Sequence, residues 1–170
     1  YTLYEEDIYV GYRYFDTFQK AVSYPFGYGL SYTTFAYSNA AIQAEGDDYI
    51  VTLNVKNTGK VAGKESVQLY VTAPDAAAHN KPAKELKAFA KTCLLQPGET
   101  AALTLRVAAA DLASFCSQEN AWKVTEGTYQ FLVAASSRDI RATLTAEVKA
   151  ATTAVHPLFP TPEQLTTLKR

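Results

Sequence analysis

Carboxylate side chains are the residues of this sequence with the widest catalytic range, and a pair of them can hydrolyse a glycosidic bond. That chemistry needs two carboxyl groups about 5–5.5 Å apart for retention of configuration, or about 6.5–9.5 Å apart for inversion. None of the candidates stands in a recognisable catalytic motif, and Asp47 and Asp48 follow Gly46 in a predicted turn. We therefore predict solvated surface or turn positions for the candidate carboxylates, which are Glu5, Glu6, Asp7, Asp16, Asp47, Asp48, Glu65, Glu85 and Glu99.

Metal, phosphate and nucleophile chemistry has less support in the sequence. A zinc-type site needs clustered ligands, whereas His79 and His156 have no Cys or His at ligand spacing. Residues 26–29 (FGYG) precede a predicted strand, so they do not match a phosphate-binding loop, which precedes a helix. A Ser/His/Asp triad stays open, although the sequence has no Gly-x-Ser-x-Gly motif. We predict no cofactor and no metal for this chain.

Aromatic side chains carry the remaining candidate function, because nine of the 12 Tyr lie between Tyr1 and Tyr37. Such rings fill interfaces between domains and also stack on sugars, so two interpretations stay open. We favour interdomain packing, because this stretch lies where the chain leaves one domain and enters another. Arg13 can stack on a ring or pair with a carboxylate. The predicted packing residues are Tyr12, Arg13, Tyr14, Asp16, Phe26, Tyr28 and Tyr32.

Alternation of apolar and polar residues predicts the strands that must position these side chains. Rows of this kind run over residues 49–55, 67–71, 103–107, 129–133 and 140–148, and further strands are predicted in residues 36–44 and 85–92. Turn residues separate the rows: Gln96-Pro97-Gly98-Glu99 has Pro and Gly at the two central positions of a type II turn. Short strands with almost no helical periodicity predict an all-β fold, an antiparallel β-sandwich.

These patterns divide the chain into three parts. Residues 1–32 are irregular and rich in Tyr, with a strand-like run at residues 8–10, and are predicted to be an extended, buried connection that ends an upstream domain. Residues 33–149 are predicted to form the sandwich. Residues 150–170 are predicted to be an extended tail with a short helix at residues 162–169. Tyr129 is either a tyrosine corner, with its hydroxyl bonded to upstream backbone, or a half-buried strand residue.

Composition excludes several classes of function. The 170 residues are 48% hydrophobic and 19% charged with a formal net charge of −1, so no nucleic-acid partner is predicted. No apolar run reaches the ~18 residues of a membrane span. Cys93 and Cys116 either form a disulfide or are two small buried hydrophobic residues. The chain contains no Met, and we expect it to be a segment excised from a longer polypeptide.

Seven blocks of the sequence, taken in order, resemble glycoside hydrolase family 3, the β-glucosidase and β-xylosidase family. Residues 6–16 are similar to the last strand region of that family's α/β domain, and residues 24–35 to the exit from that domain. The other five blocks resemble the family's fibronectin type III-like C-terminal domain, and they are residues 55–59, 63–71, 84–89, 95–99 and 136–140. The resemblance covers residues 5–148, departs from the family's usual residues at Ser66 and Ala88, and does not extend past Ala150.

The resemblance implies a parent enzyme that removes β-linked sugars from non-reducing ends with retention, through a covalent glycosyl-enzyme. Its nucleophile and acid/base would both precede Tyr1, so no catalytic residue is assigned to this chain. The chain is then a non-catalytic accessory domain of fibronectin III-like fold, whose partners are the catalytic domains of the same parent chain. A periplasmic or secreted parent is expected from the substrate class alone. The alternative is a stand-alone carbohydrate- or surface-binding β-sandwich module.

Overall fold

A computed structural model describes residues 4–74 and 76–156. Within these residues the chain is built almost entirely of strands. In chain order the elements are α1 (Tyr12–Thr17), β1 (Phe35–Glu45), β2 (Asp48–Asn57), β3 (Ser66–Thr72), β4 (Glu85–Lys91), β5 (Thr100–Ala108), a 3₁₀ turn (Ala109–Leu112), β6 (Ser114–Cys116), β7 (Ala121–Val124), β8 (Gly127–Ser136), β9 (Asp139–Val148) and β10 (Ala151–Ala154).

Two antiparallel sheets pack face to face around one core. The first has the strand order β1-β2-β5 and the second the order β4-β3-β8-β9, and their inward side chains form a single buried cluster. The strands β10, β7 and β6 form a third, small sheet in that order. The predicted all-β sandwich is therefore confirmed, and the strands predicted from alternation are the seven of the two large sheets.

The core follows from the period of two along each strand. On β2 the side chains of Tyr49, Val51, Leu53 and Val55 are buried, while Thr52 between them is exposed. Inward residues of β5, in the same sheet, lie beside them, and residues of β3 and β8, in the second sheet, belong to the same cluster. Burying a side chain of this kind stabilises the fold by about 1.5–3 kcal/mol, so these rows fix the register of both sheets.

The predicted type II turn is confirmed, and the structure decides between the two interpretations of Tyr129. Gly98 has a φ of +83° and the backbone N–H of Glu99 donates to the carbonyl of Gln96 at 3.0 Å, which is a type II turn. Tyr129 is buried, and its hydroxyl donates to the carbonyl of Thr125 at 3.0 Å. Tyr129 is therefore a tyrosine corner at the start of β8.

A buried amide marks the entry to the sandwich. Asn57, at the end of β2, donates from its side-chain amide to the carbonyls of Val61 at 2.8 Å and Leu95 at 2.9 Å. Its carbonyl oxygen accepts a hydrogen bond from the Thr33 hydroxyl at 2.6 Å. Because both ends of the Asn57 amide are used, the chain is fixed at Thr33 as it enters β1.

The first 32 residues differ from expectation in two ways. Residues 8–10 are not a strand, and a helix, α1, follows Gly11, whose φ of +59° turns the chain. The connection is also not buried throughout, because Tyr24, Leu30 and Tyr32 are exposed. Both differences result from tertiary contacts. Helix α1 and residues 26–27 pack on the outer face of the second sheet, and the apolar residues around them face outward.

Two further expectations are wrong. Ile140 is exposed and not part of the inward row of β9, because register shifts at Val133–Ser136 move its side chain to the outer face. Cys93 is exposed and Cys116 half-buried, and both are free thiols, so they are neither a disulfide nor two buried hydrophobic residues.

The end of the chain contains an element that the sequence did not predict. Residues 151–154 form β10, which pairs antiparallel with β7 and so ties the start of the tail to the small sheet. The helix predicted at residues 162–169 lies outside the described residues.

Candidate interdomain surface

An ion-pair cluster fixes α1 on the outer face of the second sheet. The Asp16 side chain is 4% exposed, and its Oδ1 accepts a hydrogen bond from Arg138 Nε at 2.7 Å. Lys84 Nζ lies 3.4 Å from Asp16 Oδ2 without hydrogen-bond alignment, so that contact is electrostatic. Arg138 also donates to the carbonyl of Lys20 at 2.8 Å. We call Asp16, Lys84 and Arg138 the Asp16 clamp; it joins α1 to β4 and to the turn between β8 and β9.

Arg13 and Thr17 add two contacts from the same helix. The Arg13 guanidinium lies 3.0 Å from a carboxylate oxygen of Glu85 at the start of β4. The Thr17 hydroxyl accepts a hydrogen bond from the backbone N–H of Ala83 at 2.9 Å. Because these partners lie at or just before β4, α1 is part of the same folded unit as the sandwich.

Tyr12 lies between the helix and the sheet. Its ring stacks on Phe26 with centroids 4.7 Å apart and meets the ring of Tyr70 edge-on at 5.7 Å. Its hydroxyl accepts a hydrogen bond from the backbone N–H of Leu86 at 2.7 Å. Tyr70 is fully buried although it points away from the core, and burial raises its pKa. Tyr12 and Phe26 therefore cover an aromatic position on the outer face.

Gly27 makes the closest approach of the connection to the sheet. The Gln68 amide donates to the carbonyls of Gly27 at 3.1 Å and Ala135 at 3.0 Å, and the Ser137 N–H donates to the Phe26 carbonyl at 2.8 Å. Gly27 has a φ of +77°, and a Cβ there would overlap the Gln68 side chain. Only glycine combines this backbone angle with this approach.

The residues that follow carry an exposed apolar surface. In residues 24–32 large apolar side chains occupy the even positions, with small residues or Pro25 between them. Tyr24 is 72% exposed, Leu30 90% and Tyr32 97%, and Phe26 and Tyr28 are each about half exposed. Tyr24 and Tyr28 stack on each other with centroids 5.3 Å apart. We call residues 24–32 the aromatic segment.

The seven predicted packing residues divide into those that make contacts within this chain and those that are exposed. Tyr12, Arg13 and Asp16 make contacts within this chain, and Tyr14 packs on Phe18 with ring centroids 5.0 Å apart.

Phe26 belongs to both groups, because one face stacks on Tyr12 while about half of the residue is exposed. Tyr28 and Tyr32 are exposed. Their packing against another domain stays a prediction. The partners Gln68, Lys84 and Arg138 were missed, because a polar residue on an outer face looks solvated in sequence.

The candidate carboxylates have structural partners in several cases. Glu65 Oε1 accepts a hydrogen bond from the Tyr37 hydroxyl at 2.8 Å, Asp48 pairs with Arg106, and Glu99 accepts a hydrogen bond from the Gln96 N–H at 2.6 Å. Burial raises the pKa of Glu65, with the nearby Tyr37 hydroxyl and Arg141 acting in the opposite direction. These roles belong to strand edges and turns. The prediction of a solvated or turn position is wrong for Asp16, because its side chain lies on α1 and is buried against the second sheet.

Clustered metal ligands and a membrane-spanning helix are both absent from residues 4–74 and 76–156. No group of three or more His, Cys, Asp or Glu side chains in these ranges is arranged to hold a metal ion. No helix in the same ranges is long and apolar enough to cross a membrane.

The fold and its sequence match a known class of domain. The family model described as "Fibronectin type III-like domain" matches residues 65–137, which run from the residue before β3 to the turn after β8. The sandwich is thus a fibronectin type III-like domain.

Curated relatives identify the proteins in which this region occurs. The chain is 45% identical over 152 residues to probable β-glucosidase K of Emericella nidulans, covering 88% of this chain and 17% of that protein. It is also 45% identical over 148 residues to β-glucosidase BoGH3A of Bacteroides ovatus, covering 85% of this chain and 20% of that protein. The chain spans about a fifth of the length of the curated relatives it matches.

Solved structures agree with the relatives. β-Glucosidase 3B from Thermotoga neapolitana, in complex with α-D-glucose, is 47% identical with a TM-score of 0.84, over 89% of this chain and 21% of that one. The GH3 β-glucosidase of Bifidobacterium adolescentis is 40% identical with a TM-score of 0.79, over 92% of this chain and 22% of that one. The chain is therefore similar to the fibronectin type III-like region of glycoside hydrolase family 3 β-glucosidases, in agreement with the resemblance of its seven sequence blocks.

Proposed function

We propose that this chain is a non-catalytic accessory domain of a larger retaining β-glycosidase, of the β-glucosidase type, that hydrolyses β-linked sugars at non-reducing ends. Its role is to pack on the catalytic domains of the same polypeptide and fix their placement. One observation carries the proposal: the aromatic segment is held against the sandwich at Gly27, yet it presents five large apolar side chains to solvent.

Five exposed apolar side chains within one short segment indicate a surface that binds another domain. Single exposed hydrophobic residues are ordinary on a protein surface, whereas contiguous apolar patches mark interaction sites. The Asp16 clamp and the Gln68 amide hold the chain on both sides of Phe26. Such preorganisation favours binding, because less conformational entropy is lost when a partner docks.

The partner that we propose is the part of the parent polypeptide that lies outside the matched region. The matched region is 17% of β-glucosidase K and 20% of BoGH3A, so most of each relative lies outside it. In our proposal the chemistry and the sugar-binding loops of the parent enzyme lie in that remainder, and residues 1–32 connect it to the sandwich at 33–149. The connection contributes residues 12–27 to the sandwich and the aromatic segment to the interface.

The test replaces Tyr24, Tyr28, Leu30 and Tyr32 together by Ser. Because these side chains are exposed, we expect the free energy of unfolding to stay within about 0.5 kcal/mol for each replacement. We expect the natural 170-residue chain to bind a hydrophobic dye and to self-associate, and the variant to do neither. The matched control replaces Phe115 and Trp122, which are half-exposed on the small sheet. A natural chain that is monomeric and does not bind the dye contradicts the proposal.

A second candidate function is a stand-alone carbohydrate-binding module. The observation that favours it is a cleft of about 300 Å³ lined by Pro25, Tyr28, Ser136, Arg138 and Asp139, among others, beside the stacked rings of Tyr24 and Tyr28. Titration with soluble β-glucans, followed by tyrosine fluorescence, tests it. Saturable binding that the Tyr24 and Tyr28 replacements abolish supports the module, and no binding at millimolar sugar excludes it.

A further inference from the structure

Phe89 is a large apolar residue of the two large sheets whose side chain is not buried by the fold. It lies on β4 and is 75% exposed. β4 is an edge strand of the second sheet, since the strand order is β4-β3-β8-β9. An exposed edge with an apolar side chain is a site for unwanted strand pairing, and proteins commonly cover such edges.

The pairing register places Phe89 beside the aromatic segment. Phe89 lies directly opposite Gln68 on β3, and residues directly opposite in an antiparallel pair project from the same face about 4.5–5.5 Å apart. On that face the Gln68 amide is bonded to the carbonyl of Gly27. Phe26 and Tyr28 flank Gly27, and both are about half exposed.

We infer that Phe89 and the aromatic segment form one composite docking surface for the part of the same polypeptide that precedes residue 1. The inference rests on the proposed function and extends it from the connection to the sandwich body. The single occupant is argued from continuity: Gln68 contacts Gly27 and lies opposite Phe89, so an apolar partner on the aromatic segment also reaches Phe89. The same partner covers the edge of β4 beyond Leu86, whose N–H donates to Tyr12, and a contact confined to residues 24–32 does not.

The cations on and beside β4 have an anionic partner within the chain. Lys87 pairs with Glu85 at 3.3 Å, and Arg13 pairs with the same carboxylate at 3.0 Å, so these three groups together carry a net charge of +1. Besides that charge, the surface offers a partner aromatic rings and the backbone edge of β4 beyond Leu86, whose N–H donates to Tyr12.

Hydroxyl-radical footprinting tests the inference without a substitution. The rate of side-chain oxidation is measured in the 170-residue chain, diluted until it no longer self-associates, and in the polypeptide encoded with its upstream sequence. The oxidation rate of Phe89 tests the composite surface. The rate of Tyr32, which is 97% exposed, tests the proposed function. Phe115, on the small sheet, is the internal control. We expect several-fold protection of Phe89 and Tyr32 in the longer polypeptide and no change at Phe115.

The other outcomes are distinguishable. Protection of Tyr32 without Phe89 overturns the composite surface and leaves the proposed function standing. Protection of neither residue, or a coding sequence with no upstream domain, overturns both. Equal protection of Phe115 shows coverage that is not specific to this surface and overturns the inference.

Discussion

At the scale of single residues, the buried polar groups on the sheet edges determine how the domain responds to pH. Glu65 is half-buried before β3, with its carboxylate bonded to Tyr37 and close to Arg141 and Asp139. Burial raises its pKa above the ordinary value of 4.5, so the folded state binds the proton more tightly than the unfolded state. Stability therefore falls as pH rises through the window between the two pKa values.

Glu65→Gln is expected to remove this pH dependence. The Gln carbonyl can still accept the hydrogen bond from Tyr37, but it has no proton to release. The stability of the variant relative to the natural chain should increase from about pH 4 to about pH 7, measured by urea unfolding at several pH values. Glu126→Gln, at an exposed position before β8, is the matched control. A constant difference between Glu65→Gln and the natural chain across this range contradicts the assignment.

Asp16→Asn tests the Asp16 clamp. The substitution leaves Arg138 and Lys84 facing a neutral group, and hydrogen bonds to charged groups contribute about 1.5–3 kcal/mol. We expect a loss towards the lower end of that range in urea unfolding, because Arg138 is 36% exposed. Asp139→Asn, at the exposed pair with Arg141, is expected to cost less than about 1 kcal/mol. Equal costs would mean that the clamp contributes no more than a surface pair.

At the scale of elements, the attachment of the connection depends on the close approach of Gly27 to β3. Gly27→Ala imposes a φ of +77° on a residue with a Cβ and forces that atom into Gln68. We expect a loss of about 1–3 kcal/mol and faster hydrogen exchange of the Ser137 amide, which bonds to Phe26.

Gly29→Ala is the matched control for this prediction. Gly29 lies two residues along the same segment, and a Cβ there meets no atom within 4 Å. We expect Gly29→Ala to leave the Ser137 amide protected. Equal exchange in the two variants would show that the contact with Gln68 does not hold the segment.

Among the elements, the strands of the two large sheets could be predicted from the sequence, whereas β6, β7 and α1 could not. The strands of the two large sheets were predictable because burial on one face imposes a period of two, as at Tyr49 to Val55 on β2. Strands β6 and β7 have three and four residues, too few to display a period. Helix α1 was not predictable, because its sequence YRYFDT has no helical repeat and its contacts with Arg138 and Glu85 come from distant elements.

The candidate surface was predictable only in part. Clustering of Tyr pointed to the correct segment, but it could not separate Tyr12, which packs on Tyr70, from Tyr32, which is exposed. That division depends on the path of the chain over the second sheet. Gln68 and Phe89 were missed because their importance comes from strand pairing and chain path: Gln68 contacts Gly27, and Phe89 lies opposite Gln68 on β4.

At the scale of the whole molecule, the connection is part of the folded unit. A chain that begins at Thr33 loses Tyr12 and Phe26 and exposes Tyr70, which is otherwise fully buried. We expect the free energy of unfolding to fall by at least about 2 kcal/mol and dye binding to increase, measured by urea unfolding and fluorescence. Unchanged stability would mean that residues 33–149 are an independent unit and the connection a simple linker.

The central claim is that this domain is the accessory part of a larger enzyme and docks through its aromatic segment. The most direct measurement is the coding sequence upstream of Tyr1. We predict several hundred codons in frame, encoding a catalytic barrel and an α/β domain. An initiator Met immediately upstream would contradict it, and sugar binding at Tyr24 and Tyr28 would then become the leading function.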